Sequence, residues 1–317
     1  MKRGDMSNIQ ICVNAVLPMF IYIVIGAVIR RLGMMGKDEN TRFNKILFTF
    51  FYPVLLFDNI YSADLSDLID GRLICFALVF ISAEVLVISS VIVRIEKDNA
   101  ARGAMIQAVY RSNFVLMGVM VVDSIFGEAG MPVAAMMVTV VVPFFNLVAV
   151  IVLERFRGGK ADIGKIFINI LKNPLITGAF AGAFFSLAGI GLPGIAADVL
   201  DGMSAATLPM ALIMLGVSFD PSVITAKRKN ILICIIGRLI VVPMIGLPLA
   251  ALAGFRGPAF VTLLIMMASP TAVSSYPMAV AMDSDGEIAG SAVMISTPLS
   301  CLTLFMWLLI FRTLGVY

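Results

Sequence analysis

Apolar runs of about twenty residues, each closed by a short polar stretch, follow one another along the chain, and that length suits a helix crossing a ~30 Å hydrocarbon layer. Ten such spans can be read, at about 9–29, 43–61, 71–93, 104–122, 130–153, 173–191, 198–219, 230–253, 258–281 and 287–311. Outer-membrane barrel strands would instead alternate over about ten residues. The pattern predicts an all-α polytopic membrane protein with ten transmembrane helices.

The punctuation inside these spans repeats. Displacing the sequence by 156 positions sets Pro18 on Pro174, Gly26-Ala27 on Gly182-Ala183, Gly33 on Gly189, and Pro53-x-x-Leu56 on Pro209-x-x-Leu212. Further along the register slips by one, with Pro143 meeting Pro298. Five spans fall in each half, and an odd number of crossings per repeat obliges the second copy to enter from the opposite side. The expected organisation is an inverted 5+5 repeat: 1–153 the first five-helix repeat, 154–172 a cytoplasmic linker, 173–317 the second repeat. A twofold repeat with Gly- and Pro-interrupted segments in matching places is a sequence signature of a secondary transporter, its site lying between the halves.

Composition agrees with a bilayer location. Of 317 residues, 60% are hydrophobic and 14% charged, against ~45–50% and ~25% in an ordinary soluble domain; mean hydropathy is +1.02. With the N-terminus outside, the inner segments carry sixteen Lys and Arg, and the outer ones five: Lys2, Arg3, Arg72, Arg256 and Arg312. That bias puts both termini outside a cell (inner) membrane. The net charge of +3 thus reports orientation, and no nucleic-acid partner is expected. The first apolar run continues to Ile29 without a small-residue cleavage site, so it is read as a span and not as a leader.

The same inventory narrows the chemistry. There is no His and no Cys-x-x-Cys, and Cys12, Cys75, Cys234 and Cys301 all lie in spans. Zinc sites, His-based triads and a disulfide framework are not expected. No loop has a Gly-rich phosphate-binding pattern, so no cofactor or metal is expected, nor an enzyme or ATP-driven pump. Energy would come from a gradient, or transport would be passive.

Spans four and nine break the rule of uniform apolarity. Span four reads Tyr110-Arg111-Ser112-Asn113 and runs on to Gly118; span nine reads Ser269-Pro270-Thr271-Ala272-Val273-Ser274-Ser275-Tyr276-Pro277. The repeat shift sets Asn113 on Ser269, which makes the breaks equivalent positions near mid-membrane. Irregular backbone in lipid survives only where it is buried in protein or lines a cavity. Broken helices here would expose unpaired N–H groups and positive half-helix ends that attract anions. The plainer alternative is that Ser and Thr stabilise proline kinks.

Charges inside spans add candidates. Arg111 is read either as snorkelling to the inner interface or as a cationic anchor beside Asn113, with a planar fork for a carboxylate. Glu84 and Arg238, in spans three and eight, are expected at similar depth. They form either a fixed ion pair or a proton relay, since a lone buried charge is expensive. Asn146, in Pro143-Phe144-Phe145-Asn146, is a further candidate lining residue, and Asn44 is read as satisfying backbone near a kink.

At these residues the chain resembles the auxin efflux carrier family, which includes plant PIN-type carriers and bacterial permeases proposed for malate and malonate. The resemblance spans the whole length. It rests on Asn44…Pro53-Val-Leu-Leu-Phe, Ser112-Asn113…Gly118, Pro143-x-x-Asn146, Asn173-Pro174, Leu208-Pro209-Met-Ala-Leu…Leu215-Gly216, Arg238…Pro243, Ser269-Pro270-Thr…Ser275-Tyr276 and Ser296-Thr297-Pro298-Leu-Ser. It implies a ten-helix inverted repeat related to bile-acid/sodium symporters and sodium/proton antiporters. In that scheme spans 1, 2, 6 and 7 are a scaffold and homodimer surface, and spans 3–5 and 8–10 a moving transport bundle. Plant carriers have proline at both breaks, whereas span four here has none and relies on Asn113 and Gly118. The long cytoplasmic loop of many plant members is missing too, so a compact prokaryotic permease fits better.

The reading reached from the sequence is a secondary carrier for a small organic anion, a mono- or dicarboxylate or auxin-like acid, working by alternating access with or without a coupling proton or sodium. A passive channel or membrane sensor is the alternative. An intramembrane enzyme stands lower, because paired intramembrane acids are missing.

Overall fold

The computed structural model describes residues 8–62, 70–114, 121–123, 125–157 and 168–317. Gly118, Lys2, Arg3 and linker positions 158–167 lie outside the described residues. The described chain is almost wholly helical: α1 (Asn8–Arg31), α2 (Lys37–Ile46), α3 (Tyr52–Tyr61), α4 (Gly71–Ile95), α5 (Asn99–Tyr110), α6 (Met131–Phe156), α7 (Pro174–Leu187), α8 (Gly194–Ser218), α9 (Pro221–Ala226), α10 (Arg228–Ile236), α11 (Val242–Leu252), α12 (Gly257–Ala268), α13 (Ser275–Ala281) and α14 (Gly286–Thr313). Five helices among the described residues are long and apolar enough to cross a bilayer: Gly71–Ile95, Met131–Phe156, Gly194–Ser218, Arg228–Leu252 and Gly286–Thr313. Large apolar side chains stay exposed along them, among them Val79, Leu86 and Val87 on α4. Water would oppose that contiguous surface, and lipid accepts it.

Local chemistry sets the helix ends. Asp70 accepts from the backbone N–H groups of Arg72 and Leu73 at 3.0 and 3.1 Å, Asp98 caps α5 through Ala100 and Ala101, and Asn173 caps α7 ahead of Pro174. The C-terminal ends of α1 and α7 are built alike. Gly33 (φ 69°) and Gly189 (φ 62°) take the left-handed conformation that glycine adopts without a Cβ clash. Gly33 N–H donates to the Arg30 carbonyl and Met34 N–H to that of Ile29; Gly189 N–H donates to Ser186 and Ile190 N–H to Phe185. These are two Schellman motifs at positions matched by the sequence shift. α6 runs to Phe156, past the start expected for the linker at Glu154.

α2 and α3 join through a π turn at Leu47–Phe51, and α10 and α11 through another at Gly237–Val241. Each leads into a proline, Pro53 or Pro243. Proline supplies no N–H and its ring presses on the carbonyl four residues back, so the helix widens there. The Leu239 carbonyl, freed by Pro243, accepts from Trp307 Nε1 at 3.0 Å. The second π turn carries Arg238, which is buried.

α1 packs on α8, and α3 on α7. Both crossings are tight because glycine lets the backbones approach: a Cβ on Gly26 would lie 2.9 Å from Gly216 Cα, and one on Gly182 would lie 3.0 Å from Phe57 Cα. Here backbone, not a flexible side chain, would have to yield. Gly26→Val is expected to cost about 1–3 kcal/mol, read as a lower melting temperature in detergent. An unchanged value would show that this crossing is loose.

Candidate functional site

α5 ends at Tyr110, Arg111–Asn113 are not helical, and helix resumes at Phe114. α12 ends at Ala268 because Pro270 drives Ser269 into an extended conformation (φ −64°, ψ 154°); α13 begins at Ser275. The two breaks meet. Ser112 and Thr271 form an antiparallel bridge, in which Asn113 N–H donates to the Pro270 carbonyl at 2.8 Å and Ala272 N–H to the Arg111 carbonyl at 3.0 Å. Thr271 fastens the crossing further: its hydroxyl donates to the Ala108 carbonyl at 2.8 Å, and its N–H to Ser296 Oγ at 3.1 Å.

This pairing narrows one expectation. The breaks were expected to present unpaired N–H groups, yet those of Asn113, Thr271, Ala272, Ser275 and Tyr276 all have protein acceptors. At these five positions the breaks pair with protein groups, as buried backbone mostly does. Those five N–H groups are therefore not available to an anion.

Arg238 braces both breaks from behind. Its Nε donates to the Ser269 carbonyl at 2.9 Å, Nη1 to Val109 and Tyr110 at 3.0 and 2.8 Å, and Nη2 to Met266 at 2.9 Å and also to Met267. These carbonyls close the C-terminal ends of α5 and α12, where the helix dipole favours a cation. A guanidinium has five N–H donors in a planar fork, and these five carbonyls match them. Glu84 Oε1 stands 3.8 Å from Arg238 Nη1 and has no hydrogen-bond partner. Glu84 is therefore an electrostatic neighbour of Arg238 and does not hold it in place.

In front of the crossing is a cavity of about 80 Å³. Arg111, Ser112 and Asn113 line it from the first break, Ala272 and Ser274 from the second, Val142, Phe145 and Asn146 from α6, Tyr52, Leu55, Leu56 and Asn59 from α3, and Leu208 from α8. Arg111 is only 3% exposed, so it does not snorkel. Its guanidinium donates to Asn146 Oδ1 and approaches Met278 Sδ at 2.7 Å. No described carboxylate lies within 4.0 Å of it. Two buried oxygens of the lining residues, Tyr52 OH and Ser112 Oγ, have no partner in the protein. A buried cation without a counter-ion and two unused hydroxyls are a donor set suited to an anion.

Of the residues singled out from sequence, the structure gathers Arg111, Ser112, Asn113, Asn146 and Ser274 at this cavity. Ser269, Pro270, Thr271 and Ser275 belong to the crossing backbone behind it. Tyr276 faces a second, larger cleft of about 650 Å³ between the ends of α1, α2 and α8 and the start of α14. The sequence reading passed over Tyr52 and Asn59. The proline after Tyr52, which predicts a distorted helix, was the available signal for the first.

The rim of the larger cleft is charged. Lys227 Nζ lies 2.6 Å from Asp285 and 3.0 Å from Glu287, and Lys37 Nζ lies 3.5 Å from Glu287. Burial alone would lower the Lys227 pKa, but the hydrogen bonds to Asp285 and Glu287 outweigh it and hold the amine above its usual range. Lys227 is thus a fixed cation at neutral pH.

The sequence profile of the family described as membrane transport protein matches residues 11–308. The chain belongs to this family, that of the auxin efflux carriers. Among its relatives, an uncharacterized transporter of Methanothermobacter thermautotrophicus is 24% identical over 298 residues, covering 93% of this chain and 96% of that one. An uncharacterized transporter of Methanocaldococcus jannaschii is 23% identical over 309 residues, covering 94% and 98%. The helices, the crossed breaks and the cavity of this family member are therefore parts of a membrane transporter.

Proposed function

We propose that the protein is a secondary transporter for a small organic anion, a mono- or dicarboxylate or auxin-like acid, bound at the crossing beside Arg111. The observation that carries this reading is the Arg111 guanidinium, buried next to a cavity with no described carboxylate within 4.0 Å. Holding a cation out of water costs several kcal/mol, and an arriving carboxylate offsets that cost by forming charge-assisted hydrogen bonds. Asn146, Asn113, Ser112 and Tyr52 supply the neutral donors around it.

In this reading ten spans form an inverted 5+5 repeat in the cell membrane, with both termini outside. The matched Schellman ends of α1 and α7 support the repeat, as do the glycine contacts of α1 with α8 and of α7 with α3. Spans 1, 2, 6 and 7 act as the scaffold and homodimer surface, and spans 3–5 and 8–10 move. The 650 Å³ cleft lies where those groups face each other, as alternating access between two states requires. Glu84 is proposed to carry the coupling proton.

The test is uptake into proteoliposomes of labelled malate, malonate, succinate, indole-3-acetate and bile acids, with and without imposed proton and sodium gradients. Saturable uptake of an anion, accelerated by unlabelled substrate on the opposite side, is expected. Linear flux without counterflow would replace the carrier with a channel, and no anion flux from any of the panel would remove the assignment.

A further inference from the structure

The cavity at the crossing and the 650 Å³ cleft share no lining residue. Along the second break the division falls within a few residues: Ala272 and Ser274 line the small cavity, Tyr276 lines the cleft, and Ser275 between them is fully buried. Tyr276 is itself 4% exposed, although it borders the cleft. Its ring lies against α14, where glycine makes the room: a Cβ on Gly290 would come within 3.1 Å of Tyr276 Cδ2, and one on Gly286 within 3.7 Å of Tyr276 Cε2. Its hydroxyl accepts from Asn40 Nδ2 of α2 at 2.9 Å, and Ser218 of α8 and Asn44 of α2 are hydrogen-bonding neighbours as well. Asn40 is buried and held in turn, because Asn44 Nδ2 donates to its carbonyl and to its Oδ1. One side chain thus spans from α13 and α14 across to α2.

We propose that Tyr276 is the gate between the cleft and the anion site, latched shut by Asn40. The proposal rests on the crossing cavity being the site of the carrier described above. Tyr276 follows cavity-lining Ser274 by two residues and borders the cleft, and glycine at 286 and 290 lets its ring pack close against α14. The hydroxyl bond sets how long the gate stays closed, since breaking a buried hydrogen bond leaves Asn40 Nδ2 without its acceptor.

Accessibility tests this without any substrate. In a variant with all four cysteines replaced and Ser274→Cys added, the thiol is reacted with an anionic methanethiosulfonate in inside-out and right-side-out vesicles. Tyr276→Phe, which removes the hydroxyl and keeps the ring, is expected to speed labelling severalfold, up to about tenfold, the factor for one hydrogen bond; Asn40→Ala, which leaves Ser218 and Asn44 beside the hydroxyl, should speed it by a smaller factor. Tyr276→Ala should speed it at least as much. The acceleration should appear from the cleft side only. Unchanged rates in all three variants, or equal acceleration from both sides, would overturn the gate. Gated labelling in a protein that moves no anion would keep the gate and refute the carrier assignment.

Discussion

Arg111→Gln is expected to weaken binding of the transported anion by about thirtyfold or more, because removing one partner of a buried, hydrogen-bonded charge pair costs about 2–5 kcal/mol. The same change is expected to leave the melting temperature of the unliganded protein equal or higher. Glutamine can still donate to Asn146 Oδ1, the present acceptor of Arg111, while the desolvation cost of the cation disappears. A residue that only held the fold would lose stability and affinity together. Asn146→Asp gives the reciprocal result: a carboxylate beside Arg111 should raise the melting temperature and abolish anion binding, since the internal partner takes the ligand's place. Isothermal titration and thermal melting on purified protein decide both. Wild-type affinity in Arg111→Gln, or a destabilised Asn146→Asp protein, would put the anion elsewhere.

How much of this was legible beforehand depends on the range of the interactions. Helix positions follow from a hydropathic signal twenty residues long, so every expected span has helix within it among the described residues. The breaks were visible because Pro270 and Ser112-Asn113 act on their own backbone, through φ restriction and poor helix propensity. Their mutual pairing was not. The break was expected to leave N–H groups free, yet that of Asn113 is used by a carbonyl on a distant segment, and no local pattern announces that.

Side-chain direction was harder still. Ser274 and Tyr276 are neighbours in sequence but border different cavities, since α13 starts between them and each helical residue turns about 100° from the last. Tyr52 sits in an aromatic run, Phe48…Phe50-Phe51-Tyr52, that reads as lipid-facing packing. It follows directly on the π turn and lines the cavity. That Arg238 and Glu84 would be neighbours was expected, and Glu84 Oε1 stands 3.8 Å from Arg238 Nη1. The role of Arg238 could not be read from the sequence, because its acceptors are main-chain oxygens on two other helices.

That role carries the largest stability effect. Arg238→Ala would strip donors from five buried carbonyls at once and leave Glu84 without its cation, so a loss of about 3–5 kcal/mol is expected, a large share of the ~5–15 kcal/mol that holds an ordinary protein folded. Arg238→Lys keeps the charge but offers three donors on a flexible stem instead of a planar fork, so it should recover only part. Glu84→Gln behaves differently. All five donors of Arg238 already point at backbone, and Glu84 Oε1 is too far for a hydrogen bond at 3.8 Å, so the neutral isostere is expected to fold. If Glu84 takes and releases the coupling proton, this folded variant should exchange substrate across the membrane at the normal rate but fail to accumulate it against a gradient when only protons drive uptake. The split matters, because a merely structural carboxylate would lower both activities together through the amount of folded carrier. Proton-driven accumulation at the wild-type level in well-folded Glu84→Gln protein would show that the coupling proton travels by another group.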